Sequence, residues 1–161
     1  MSIEKIAYTS HEIIAPFIKS TRYYNQKTKA VKLAADLIIS RWDGKLENAQ
    51  CEDKWELRNI FLSVKGIGNE TADSIVLYVF DKLIFVIDAY TKRIFSRLDI
   101  LRESDSYKTY QDFFMQNLKE DVELYKDFHA QIVYLGHLFC RPKPLCENCP
   151  LSKEKICSFK K

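Results

Sequence analysis

LSVKGIGNETADSIVLYVFDKLIFVID, residues 62–88, decides how this chain is read. Two glycines flank one aliphatic residue, Gly66-Ile67-Gly68, between segments whose apolar residues recur at helical spacing, and a lone carboxylate, Asp88, closes a short hydrophobic run. Gly66 and Gly68 permit positive φ and leave no Cβ in the way. The backbone can therefore turn tightly with its N–H groups pointing outward beside the N-terminus of the next helix, an arrangement that suits a phosphate oxygen. Lys65 adds charge beside the turn, Ile67 plugs inward between the two helices, and Thr71 can help cap the second. By itself a Gly-x-Gly turn also suits a plain helix connection, and an Asp before a helix is usually its N-cap. The flanking sequence has to separate these readings.

Outward from that stretch the pattern is helical. Upstream, Ser10 precedes a short segment, HEIIAPFIK, that Pro16 limits or kinks. From Asn25 the apolar residues Ala30, Leu33, Ala34, Leu37 and Ile38 fall at helical spacing until Asp43-Gly44 stops them. A further helix is expected from about Glu52 to Val64, burying Trp55, Ile60, Phe61 and Val64. Another starts near Asn69, burying Ala72, Ile75, Val76 and Val79. Leu83 to Ile87 is β-like but has no partner, so it reads as a buried extended connector. Asp88 then stands at an N-cap before a helix carrying Ile94, Phe95 and Leu98. Helices over about Ser106–Leu118 and Val122–Phe139 follow. Only 4 Gly and 4 Pro punctuate 161 residues, which favours long helices and an all-α fold.

With 47% apolar residues and 13% aromatics the chain can bury a core. No apolar run is long enough to span a membrane and the N-terminus lacks the regions of a signal peptide, so the expected compartment is the cytoplasm. The formal charge of +3 is concentrated at one end. Residues 140–161 hold six basic side chains (Arg141, Lys143, Lys153, Lys155, Lys160, Lys161) against Glu147 and Glu154, leaving the rest of the chain at −1. That tail is weak evidence for a polyanionic partner, because Lys-rich tails are commonly just solvated.

Four of the five cysteines lie in the same tail: Cys140, Cys146, Cys149 and Cys157, separated by five, two and seven residues. In a chain with no export signal they argue for a metal site rather than disulfides. A four-cysteine zinc site and a [4Fe-4S] cluster want the same ligands. Free structural thiols are the plain alternative. Cys51 stands apart and reads as a buried or incidental thiol.

Taken in order, Leu62-x-x-Lys65-Gly66-Ile67-Gly68-x-x-Thr71-Ala72 and then Val86-Ile87-Asp88-Ala89-Tyr90-Thr91-x-Arg93 resemble the helix-hairpin-helix and following aspartate of the endonuclease III superfamily of DNA glycosylases. Tyr23-Tyr24-Asn25-Gln26-Lys27 is similar to the family's aromatic-Asn-x-Lys helix start. The resemblance implies a helix-hairpin-helix DNA glycosylase fold, with residues 1–88 a partial helical barrel containing the hairpin (about 52–80). Residues 89–161 would form a C-terminal helical lobe ending in a cluster loop (140–157). It further implies that Lys65, Gly66, Ile67, Gly68, Thr71 and Lys27 contact double-stranded DNA and that Asp88 is catalytic. The four cysteines would hold a [4Fe-4S] cluster, favoured over Zn2+, although their outer spacings depart by a residue or two from the commonest pattern.

Bifunctional members place a lysine just before the hairpin helix's Thr-Ala, and this chain has Glu70 there. A carboxylate cannot form an imine, so the resemblance implies a monofunctional glycosylase without Schiff-base lyase chemistry. Glu70 with Thr-Ala-Asp-Ser is similar to the branch that removes alkylated bases such as 3-methyladenine. A carboxylate would suit a cationic leaving base, and it would equally suit the first turn of a helix. Members of the superfamily normally have several helices before the segment that here begins at Met1. A missing N-terminal segment or a complementing chain is therefore expected, with apolar surface left on the 25–41 and 52–64 helices. The rival reading is a non-catalytic helix-hairpin-helix DNA-binding module with a structural metal cluster, and a third is a zinc-stabilised interaction domain.

Overall fold

The computed structural model of the chain describes residues 2–159, and among these there are helices and loops but no strands. They form two compact units, Met1–Ala72 and Asp73–Lys161. Lys160 and Lys161 of the basic tail lie outside the described residues. No helix among the described residues is long and apolar enough to cross a membrane.

In the first unit α1 (Ile3–Tyr8) is capped by Ser2, whose hydroxyl accepts from Lys5 N at 3.3 Å. α2 (His11–Ile14) passes directly into a 3-10 turn, Ala15–Ile18, with Pro16 in its first turn, where the missing N–H costs nothing. α3 (Tyr24–Trp42) carries the unit. Its Lys32 ammonium donates to the carbonyls of Ile6, Ala7 and Thr9, satisfying the C-terminal end of α1 and placing positive charge at its negative pole. α3 ends on two left-handed residues, Asp43 (φ 52°) and Gly44 (φ 73°), as the Asp-Gly pair anticipates. α4 (Lys54–Leu62) is capped by Asp53, which accepts from Trp55 N at 2.8 Å. Trp42 fastens α3 to the approach to α4: its indole N–H donates to Glu52 at 2.7 Å and its ring lies 5.9 Å from Phe61.

The burial pattern corrects part of the sequence reading. On α3 the buried apolar residues are Ala30, Ala35 and Trp42, while Val31 and Leu33 are exposed; on α4 they are Leu57 and Phe61, while Trp55 is exposed. Trp55 stands in the first turn, where the Lys54 ammonium covers its ring at 5.5 Å. Apolar surface is thus exposed on both helices, as expected. Cys51 is also exposed, which leaves the incidental one of its two readings.

α5 (Asn69–Tyr78) contains the unit boundary. In the second unit its inward residues are Val76 and Leu77, with Phe80 beyond; Val79, expected inside, is exposed. The helix stops at Tyr78, so residue 79 lies outside its periodicity. Ile84, Phe85, Val86 and Ile87 then run extended and buried, as the connector reading requires. α6 (Ala89–Arg97), α7 (Tyr107–Asn117) and α8 (Val122–Leu138) complete the core, followed by a cysteine-bearing loop with a 3-10 turn at Cys146–Asn148 and the short α9 (Pro150–Lys153). Phe85 stacks on Phe114 at 4.2 Å and meets Tyr125 edge-on at 5.4 Å.

An unpaired extended run leaves backbone groups that need partners. Side chains of α7 supply two: Gln111 donates to Phe85 O at 2.8 Å, and Ile87 N donates to the Tyr107 hydroxyl at 3.2 Å. Both side chains also donate to the fully buried Asp73, Tyr107 at 2.6 Å and Gln111 at 2.7 Å.

Candidate functional site

The turn between α4 and α5 uses its two glycines differently. Gly66 has φ 97°, and a Cβ there would lie 3.1 Å from Ala30 Cβ, so backbone shape and contact with α3 both demand glycine. Both glycines permit positive φ, but only Gly66 uses it; Gly68 has no left-handed φ, and a Cβ on it would meet nothing within 4 Å. Packing does not explain Gly68; open space in front of it leaves its backbone approachable. Ile67 N donates back to Val64 O at 3.0 Å and is used within the turn. Among the described residues the N–H groups of Gly66 and Gly68 have no protein acceptor. Arg58 bridges the hairpin by donating to Asn69 Oδ1 at 2.9 Å. Lys65, Glu70 and Thr71 are exposed and Ile67 is half-buried. Lys27, also exposed, precedes Ala30 by one turn of α3 and so lies on the side the Gly66 turn packs against.

In the second unit Asp88 is buried at the head of α6. Its Oδ1 accepts from both Thr91 N and Thr91 Oγ1, each at 2.7 Å. The N-cap expected from sequence is therefore present, and it occupies one carboxylate oxygen only. The other, Oδ2, faces His129 Nε2 of α8 at 3.9 Å, beyond hydrogen-bond reach. His129 is 9% exposed, its Nδ1 lies 2.8 Å from the Tyr78 hydroxyl, and its Nε2 has no hydrogen bond. An unsatisfied buried nitrogen costs about 1–3 kcal/mol. Burial pushes the imidazole below its ordinary value, and the Asp88 carboxylate pulls the other way without prevailing.

Sequence reasoning missed Tyr78 and His129, and named Thr91 only within the motif, without its role as donor to Asp88. The signal for His129 was its register: Tyr125, His129, Ile132 and Gly136 make one inward stripe of α8, and a polar residue in such a stripe needs a reason.

The opposite end of α6 grips the cysteine loop. Arg93 Nε donates to Cys140 O at 2.7 Å. Arg97 donates to Arg141 O at 2.7 Å and Pro142 O at 3.0 Å, with a 3.3 Å contact from the same guanidinium to Cys140 Sγ. Cys140, Cys146, Cys149 and Cys157 line a single small cavity together with Arg97 and Phe139, and none is in a disulfide. Among the described residues no three His, Cys, Asp or Glu side chains are gathered to hold one metal ion. Arg141, Lys143 and Lys153 are exposed around this loop.

Residues 1–120 match the sequence model of the HhH-GPD superfamily of base excision DNA repair proteins. The chain belongs to the HhH-GPD superfamily. A Methanocaldococcus jannaschii protein provisionally named a DNA repair glycosylase is 41% identical over 92% of this chain and 68% of its own length. A trapped endonuclease III–DNA covalent intermediate superposes with a TM-score of 0.77 at 20% identity, over 98% of this chain and 68% of that one, and so shares the fold. An H. pylori 3-methyladenine DNA glycosylase bound to 1,N6-ethenoadenine is 28% identical with a TM-score of 0.68, over 81% of this chain and 65% of that one. The chain thus spans about two thirds of the length of these HhH-GPD proteins.

Proposed function

We propose that the chain is a monofunctional DNA glycosylase of base excision repair, hydrolysing the N-glycosidic bond of a damaged base, with alkylated bases as its substrate class. The observation that carries this reading is the division within Asp88: capping occupies Oδ1 and leaves Oδ2 clear of the helix it caps. As the bond to the base breaks, positive charge builds on the sugar. A carboxylate oxygen free of capping duty can stabilise that charge and position a water for attack at the same carbon. The electron pair of the broken bond leaves with the base, and the proton of the attacking water passes to Asp88 or to solvent. Glu70 supports the monofunctional part, since it cannot form an imine with the sugar. It also supports the alkylated-base part, since a carboxylate favours a cationic base, and the similarity to a 3-methyladenine glycosylase points the same way.

DNA would be held by the hairpin: the N–H groups of Gly66 and Gly68 toward phosphate oxygens, with Ile67 shaping the turn and Lys65, Thr71 and Lys27 around it. The four cysteines suit a [4Fe-4S] cluster. A cluster and a zinc ion want the same four thiolates, and the four cysteines line one cavity that could hold either; the place of the loop after the last long helix, as in endonuclease III relatives, favours the cluster. Its contribution would be structural, fixing Arg141, Lys143 and Lys153 near the DNA backbone.

A non-catalytic DNA-binding module is the second reading, and the Thr91 hydrogen bonds favour it to the extent that a cap alone would justify Asp88. Asp88→Asn separates the two, because Asn caps as well as Asp and removes only the charge. Base release from alkylated duplex under single-turnover conditions should fall about 10²- to 10³-fold with helicity unchanged. Absence of release by the wild type, or an unaffected variant, overturns the enzyme reading. A covalent complex trapped by borohydride overturns the monofunctional one. Iron and sulfide analysis of anaerobically purified protein tests the cluster against zinc.

A further inference from the structure

His129 is fixed from one side and unsatisfied on the other. The groups around its ring are Tyr78 from α5, the Asp88 carboxylate at the head of α6, the Phe85 ring, edge-on at 6.5 Å, and Tyr125 and Lys126 one turn earlier on α8. The Lys126 ammonium is drawn away to Asp81 and Glu123. The Tyr78 hydroxyl lies 2.8 Å from His129 Nδ1 and 3.4 Å from Lys126 O, so it can donate to Nδ1, or accept from Nδ1–H while donating to Lys126 O. Donation to Nδ1 puts the ring proton on Nε2. The opposite tautomer would aim the Nε2 lone pair at a carboxylate oxygen, so Asp88 selects the Nε2–H form and Tyr78, donating to Nδ1, completes it.

A bridging water does not fit the gap. Two hydrogen bonds of about 2.8 Å meeting at a water separate their partners by roughly 4.6 Å, more than the 3.9 Å between Nε2 and Oδ2. What can satisfy the buried Nε2–H is Oδ2 itself, after a small closure of the kind catalytic hydrogen bonds undergo when substrate loads.

We propose that His129, held as the Nε2–H tautomer by Asp88 and Tyr78, is a positioning residue that holds Oδ2 of Asp88 while Thr91 holds Oδ1. The carboxylate is then held at both oxygens, and the second lone-pair site of Oδ2 stays available to the sugar and the water. Because the donor is a neutral imidazole, orientation comes without cancelling the negative charge that a cationic sugar requires. An imidazolium in the same place would set the carboxylate and quench it together. The catalytic consequence rests on the glycosylase reading of Asp88; the contact and the tautomer do not.

Nitrogen NMR of ring-labelled histidine tests the contact first, with His129→Gln assigning the signal. The wild type should show the Nε2–H form. Asp88→Asn should move the His129 titration to lower pH, since it removes the neighbouring anion, and Tyr78→Phe should erode the tautomer preference. An Nδ1–H form, or a titration indifferent to Asp88→Asn, overturns the proposal whether or not the protein excises bases. Single-turnover excision tests the consequence. His129→Leu should lose about 10- to 100-fold in rate with DNA affinity unchanged, and His129→Gln, which keeps a donor, should recover most of it. Wild-type excision by a folded His129→Leu variant refutes the positioning role. If that variant does not fold, the wild-type and Asp88→Asn titrations decide. A wild type that excises nothing refutes the glycosylase reading, while the NMR result still decides the contact.

Discussion

Gly136→Ala sets two ordinary effects against each other. In the middle of an exposed helix the change gains about 1 kcal/mol of helix propensity. Here the new Cβ would lie 2.4 Å from Tyr90 Cδ1 and 2.7 Å from Tyr90 Cβ and Cγ. The Tyr90 ring can swing away, but its Cβ is fixed to the backbone of α6, which packs on α8. Restoring an ordinary contact of roughly 3.6 Å requires the two helices to part by about 1 Å at this point. Overpacking of this kind costs about 1–3 kcal/mol, and a backbone-borne clash belongs at the upper end. The net loss is then about 2 kcal/mol, a fall in Tm of about 4–8 °C for a chain of this size. Thermal unfolding followed by circular dichroism measures it. The double variant Tyr90→Gly/Gly136→Ala should show favourable coupling in a double-mutant cycle, because the atoms in conflict are gone. An unchanged or raised Tm in Gly136→Ala would mean that α6 and α8 are not held this closely and would refute the argument. Asp88 sits two residues before Tyr90, so the same displacement should slow base excision more than it weakens DNA binding.

The hairpin glycines should separate by assay. Gly66→Ala forces a φ of 97° on a residue with a Cβ and should cost about 1–2 kcal/mol in denaturant unfolding, whereas Gly68→Ala should cost about 1 kcal/mol or less yet weaken duplex DNA binding about tenfold at fixed salt, read by fluorescence anisotropy. Tyr107→Phe removes a donor from buried Asp73 and the acceptor of Ile87 N–H, and should lower unfolding free energy by about 3 kcal/mol. His129 gives a pH signature: its folded form resists protonation, so the unfolded chain binds more protons below the ordinary value of 6.5 and stability falls as pH drops through that value. His129→Gln should flatten this part of the Tm against pH curve.

The elements legible in the sequence were those whose cause is local. α3 announced itself by spacing and by Asp43-Gly44, and the N-cap at Asp88 and the buried run before it followed from residue type alone. Which face of a helix lies inward is set by distant partners, and there the reading slipped, at Trp55, Leu33 and Val79. The four cysteines were legible as a group because their spacing is a property of the chain. His129 was not, because its meaning comes from Asp88, 41 positions earlier, and from Tyr78, both reached only through the fold. Gly68 shows a third case: its pairing with Gly66 suggested one shared purpose, yet only Gly66 is required by backbone shape.

The extended run before Asp88 borrows its hydrogen-bond partners from side chains 20 and 26 residues further along. As the chain leaves the ribosome, that run emerges before anything exists to hold it, and it stays an exposed apolar strand until α7 has been made. The interval is when this protein is most open to aggregation or to a holdase, and fragments ending before residue 107 should be recovered insoluble, with the segment meant to carry the aspartate paired to copies of itself.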